Sequence, residues 1–154
     1  MFVAALMPTA ALAQESKPTP VCVKAEIVPG FEAFGRPAAG PLAIGMAMPL
    51  PLERVNGAPP VQGPRPFRPG SYTGHTLLTI SEAGTYRIAL SRGAWLSVFR
   101  AAGEARSTTH DHGPACSGIA KIVSFDLEPG IWHLAVSEAK GPDMTVMAVR
   151  ASPS

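Results

Sequence analysis

His110, Asp111 and His112 stand side by side in the run Thr108–Leu127, TTHDHGPACSGIAKIVSFDL, and Cys116 follows closely. Imidazole, carboxylate and thiolate are the side chains that bind Zn, Cu or Fe. In an extended chain, residues two apart point to the same side. His110 and His112 therefore offer half a metal site, while Asp111 faces away. His75, His133 or Cys116 would have to supply the third ligand through the fold. A catalytic metal needs three protein ligands and an open position, and the local sequence provides two nitrogens. No resident cofactor is expected on that count; the metal reading keeps Zn, Cu and Fe open. The competing reading is structural: histidines beside the Gly113-Pro114 turn hydrogen-bond backbone groups and hold a loop.

Other chemistries are represented less fully. Ser117-Gly118 lacks the preceding Gly-x of a nucleophile elbow. Asp111, Asp126, Glu128 and Glu138 are available as a glycosidase pair, but carboxylates at strand ends are usually solvated. No Gly-rich phosphate loop precedes a helix. Met46 and Met48 suit Cu(I) as thioethers, yet their alternation is also what core packing produces. Trp95 and Trp132 are assigned to the core; exposed coplanar indoles would instead indicate a carbohydrate-binding face. Arg65, Phe67 and Arg68 are placed to contact a ligand or partner from a loop, or to be solvated there.

The elements that must position these residues are short. Seventeen prolines and 15 glycines interrupt the 154-residue chain too often for long helices. The length suits one domain with a real core. Charged residues make up only 16 % and the net charge is +2, with no basic cluster interleaved with aromatics, so nucleic acid is not an expected partner. Strands are expected over 41–52, 75–80, 85–90, 94–100, 119–127, 131–137 and 144–150. Tyr86, Ile88 and Leu90 share one face of their strand, as do Val123, Phe125 and Leu127, and Trp132, Leu134 and Val136. Pro49 and Pro51 place the first strand at an edge. Glu53–Gly74 is read as a loop crossing between two sheets, and Phe31 and Phe34 as caps on one end of the core. The pattern predicts an all-β fold: a single antiparallel β-sandwich, jelly-roll-like, over 41–154, preceded by an extended arm over 14–40.

Residues 1–13, MFVAALMPTAALA, are apolar and end in small-x-small, the pattern of an export signal cleaved before Gln14. A periplasmic or extracellular location follows, with no transmembrane segment expected in the mature chain. In an oxidising compartment Cys22 and Cys116 are expected to form a disulfide.

Ala83-Gly84-Thr85-Tyr86-Arg87 and Leu127-Glu128-Pro129-Gly130-Ile131-Trp132-His133-Leu134 resemble the hairpins of pre-peptidase C-terminal domains, which are non-catalytic modules of secreted enzymes. Gly84-Thr85-Tyr86-Arg87, Gly93-Ala94-Trp95 and the run from His110 to Ile119 are similar to a group of short secreted bacterial β-sandwich proteins. Some of those carry the label homogentisate 1,2-dioxygenase, which implies an Fe(II) enzyme with two histidines and a carboxylate on the metal. A cupin-type site wants His-x-His followed shortly by Glu, and here no Glu occurs between His112 and Glu128. The first expectation is thus a secreted, non-catalytic module with a binding or structural role at the cell envelope. Its partner would be an envelope protein, a glycan or a small ligand. The alternative is a metal-binding or dioxygenase-like protein using His110 and His112.

Overall fold

The structure is a computed structural model that describes residues 17–57, 63–65 and 67–153. The expected export signal, residues 1–13, lies outside the described residues. Ten strands form: β1 Ala47–Pro51, β2 Glu53–Arg54, β3 Tyr72–Ile80, β4 Gly84–Leu90, β5 Trp95–Arg100, β6 Gly103–Glu104, β7 Ser107–Asp111, β8 Lys121–Leu127, β9 Gly130–Ala139 and β10 Asp143–Arg150. They make two five-stranded antiparallel sheets, ordered β1-β10-β4-β8-β7 and β2-β3-β9-β5-β6. The pairs β1–β10, β3–β9, β4–β8 and β5–β6 nest inside one another like one long rolled hairpin, and β10–β4 and β9–β5 close the roll. That is the jelly-roll form of a β-sandwich.

The core follows from alternation. Leu78, Ile88, Leu90, Val98, Leu134, Val136 and Val146 have no residual exposure and meet between the sheets. Tyr86 and Trp132 belong to the same core and satisfy their polar ends locally. Tyr86 donates its hydroxyl to Glu82 O (2.8 Å), and Trp132 donates Nε1–H to Glu128 O (2.9 Å). Burying the rings therefore leaves no unpaired polar group. Gly130 opens β9 with φ of 136°, a conformation that glycine adopts without a Cβ clash.

Several expectations need correction. The tight turns after Ile80 and after Leu127 do not close hairpins; each carries the chain from one sheet to the other. The loop after β2 does the reverse. It leaves and rejoins the same sheet, because Glu53 pairs with Thr73 and Arg54 with Tyr72. The first strand is shorter than expected. Residues 43–46 turn instead, with Met46 N–H donating to Ala43 O (3.1 Å) and Gly45 at φ 83°, so Met46 is exposed and only Met48 enters the core.

The arm also differs from expectation. Phe31 and Phe34 do not cap an end of the main core. With Val28 they lie on the outer face of the first sheet, against Ala47, Ala89, Ile122, Met147, Val149 and the loop residue Ile119, and form a second, smaller core. Arg87 fixes the arm from the sheet by donating to Pro29 O (3.2 Å), with its guanidinium 5.1 Å from the Phe31 ring centre. Cys22 and Cys116 are joined as a disulfide, and Glu26 N–H donates to Cys116 O (3.0 Å). The arm is thereby tied to the loop between β7 and β8.

Candidate functional site

The expected histidines come together as two separate pairs. His110 lies on the edge strand β7, opposite Val123 of β8. The His110 and His112 ring centres are 5.6 Å apart, tilted at 53°, and both residues are exposed. His112 bonds through Nδ1 to the Ala120 carbonyl at 3.1 Å. Its loop is tight: a Cβ on Gly113 would sit 2.3 Å from Ile119 O and 2.8 Å from Ser117 Oγ, so only glycine fits. Ser117 further pins the turn by bonding Pro114 O at 2.7 Å and Ile119 N–H at 3.1 Å.

His75 and His133 form the other pair, on the outer face of the second sheet. His75 Nε2 is 2.8 Å from His133 Nδ1, and His133 stacks on Phe99, making a row of three rings across β3, β9 and β5. Burial, then the charge of His133, lowers the pKa of His75 below the ordinary histidine value. A cavity of about 340 Å³ lies beside His75, lined also by Phe67, Glu53 and Ala135. Cys116 is held in the disulfide, so it offers no thiolate. Among the described residues, no three of His, Cys, Asp or Glu converge as a metal-ligand group.

A cleft of about 510 Å³ opens elsewhere, along the edge of the sandwich where β7 of one sheet faces β5 and β6 of the other. Its floor is apolar: Leu96, Val123 and Phe125. Its rim carries Arg65, Trp95, Glu104, Arg106, Ser107, His110 and Lys121. Each is positioned by the fold. Lys121 opens β8 in phase with Val123, Phe125 and Leu127, so the apolar face of that strand begins with an amine. The amine reaches across the sheets to donate to Ala94 O at 2.8 Å, and burial lowers its pKa. Trp95 starts β5 and is 39 % exposed, a correction to its expected place in the core. Arg65 holds its guanidinium 3.5 Å from the indole centre, and the Lys121 amine lies 5.4 Å from it.

The charges around this cleft are unbalanced. The ion pairs among the described residues are Arg68–Glu138 and Arg150–Glu82, both elsewhere. Among the described residues, Arg65, Arg106 and Lys121 therefore have no carboxylate in ion-pair contact, although Glu104 shares the rim. Asp111, Asp126, Glu128 and Glu138 do not line the cleft. Asp126 accepts from Thr85 and Glu138 pairs with Arg68 on the surface, so these carboxylates do not form a facing acid–base pair there.

Of the cleft residues, sequence reasoning singled out His110, Arg65 and Trp95 and missed Glu104, Arg106 and Lys121. The available signal was Lys121, a charged residue in the inward phase of an otherwise apolar strand. Arg106 and Glu104 carried no comparable signal, because their places depend on how β6 and β7 return to the two sheets. No family model, curated protein or solved structure matches this chain.

Proposed function

We propose that this chain is an exported, non-catalytic β-sandwich module that binds a small ligand or glycan at the cell envelope, with the edge cleft as its seat. The observation that carries the reading is the composition of the cleft: an apolar floor, a half-exposed indole and cations without ion-paired carboxylates among the described residues, in a volume of ordinary ligand-site size. Buried apolar surface with a few convergent polar groups is the usual form of a small-molecule site. Export is supported by the disulfide, which persists in oxidising compartments, and by the signal pattern over residues 1–13. No helix among the described residues is long and apolar enough to cross a membrane. A non-catalytic role is supported by the dispersal of the capable side chains: the histidines form two pairs, the cysteines are bonded to each other, and the candidate carboxylates lie outside the cleft. The resemblance that the sequence motifs Gly84-Thr85-Tyr86-Arg87 and Gly93-Ala94-Trp95 carry to short secreted bacterial β-sandwich proteins is an expectation of the same reading.

The test is a thermal-shift screen of the folded, oxidised protein against sugars, glycan fragments, organic acids and amines. Every compound is afterwards recovered and weighed by mass spectrometry. The expected result is a ligand that raises the melting temperature, is recovered unchanged, and loses its effect in Trp95→Ala. Conversion of any compound would contradict the non-catalytic role. Stabilisation that survives Trp95→Ala would move the seat away from the cleft.

A further inference from the structure

We infer that the ligand of the edge cleft is an acidic sugar, a uronic-acid residue of a glycan chain; this rests on the binding reading above. The first argument is charge. Arg65, Arg106 and Lys121 surround one cavity and none is neutralised by a carboxylate within ion-pair distance among the described residues. Burial lowers the pKa of the half-buried Lys121 amine, and an anion bound beside it favours the charged form. Arginine presents a planar fork that meets a carboxylate through two parallel hydrogen bonds.

The second argument is the rest of the lining. Glu104 is an acceptor on the same rim, and a ligand made only of carboxylate and hydrocarbon would offer it no hydrogen-bond donor. Hydroxyl groups resolve this, because they donate to Glu104 and exchange hydrogen bonds with Ser107 and His110. The apolar floor of Leu96, Val123 and Phe125 suits the C–H face of a sugar ring, and the part of the Trp95 indole that Arg65 leaves exposed borders it. A carboxylate, several hydroxyls and an apolar ring face on one compact body are what a uronate combines. The cleft is partly open at the sandwich edge between β7 and β5–β6, as a uronate carried on a chain requires.

The experiment is titration calorimetry of the oxidised protein with trigalacturonate, its fully methyl-esterified form, neutral galactotriose and inorganic phosphate. The Trp95 Nε1–H signal is followed by NMR in parallel. The inference expects saturable binding of trigalacturonate, at least tenfold weaker binding of the ester and of galactotriose, and no competition by equimolar phosphate. Arg106→Gln, whose side chain makes no hydrogen bond or ion pair among the described residues, should weaken binding at least fivefold with the melting temperature unchanged. Ester and acid binding equally would overturn the carboxylate requirement, and phosphate displacing the sugar at equal concentration would overturn the sugar requirement. A neutral ligand from the screen seated in the cleft without trigalacturonate binding would sink this inference and leave the binding reading standing. No ligand in the cleft at all would sink both.

Discussion

His75 Nε2 lies 2.8 Å from His133 Nδ1, so one ring donates an N–H and the other must accept it as a neutral imidazole. The pair joins β3 to β9 on the outer face of the second sheet, and His133 continues the stack onto Phe99. Burial, then the charge of His133, holds the pKa of His75 below histidine's ordinary 6.5. Between the folded and unfolded values the unfolded chain binds more protons, so stability rises with pH across that window. The contribution is complete above about 6.5 and is lost as pH falls through the folded value. Melting temperatures from pH 8 to pH 5 should therefore fall more steeply for wild type than for His75→Gln. Parallel profiles would show that the pair does not couple to folding.

The arm should be part of the folding unit. Phe31 is 3 % exposed and sits in the second core with Phe34 and Met147. Phe31→Ala is expected to destabilise by about 3 kcal/mol, the usual cost of emptying a buried aromatic site. Removing the disulfide by Cys22→Ser is expected to cost a further 2–4 kcal/mol, roughly, since it frees a loop spanning a sequence separation of 94. Urea unfolding of both variants measures this. A Phe31→Ala protein within about 0.5 kcal/mol of wild type, the range of an ordinary surface change, would mean that the arm is not docked in solution.

Strand phase was legible in the sequence, because a half-buried strand alternates. Tyr86, Ile88 and Leu90, then Val123, Phe125 and Leu127, then Trp132, Leu134 and Val136 all face the core as the pattern implies. Strand partners were not legible. The turns at Ser81–Ala83 and Glu128–Pro129 have hairpin chemistry, yet the same turns serve equally to pass from sheet to sheet, and β4 pairs instead with the distant β10. The disulfide was legible from the export-signal pattern and the cysteine count, whereas the docking of the arm was not, since Phe31 and Phe34 sit in a Gly- and Pro-rich segment without periodicity. The cleft draws on the loop after β2 and on four different strands, so no local pattern encodes it; His110, Arg65 and Trp95 were read one by one, and Lys121, out of character on an apolar strand face, was a signal left unread.

His112 is expected to act through its loop, while His110 stays on the rim of the cleft. In the double variant His110→Ala, His112→Ala, the bond from His112 to Ala120 O is lost, a change of about 1 kcal/mol or less for an exposed site. A chelator should leave the melting temperature of wild type and of the variant unchanged. If chelator lowers the wild-type value by several degrees and does nothing to the variant, the two rings hold a metal, and the metalloprotein alternative takes first place.

The most direct test of the central claim is a two-dimensional amide NMR map of the protein with a bound ligand from the screen. The account predicts that the shifted signals cluster at the open edge: the Trp95 side chain, Ala94, Arg106, His110 and Lys121, with β1 and the Phe31 arm unmoved. Shifts centred instead on Phe67, His75 and Ala135, around the second cavity, would contradict the assignment of the ligand seat to the cleft between the sheets.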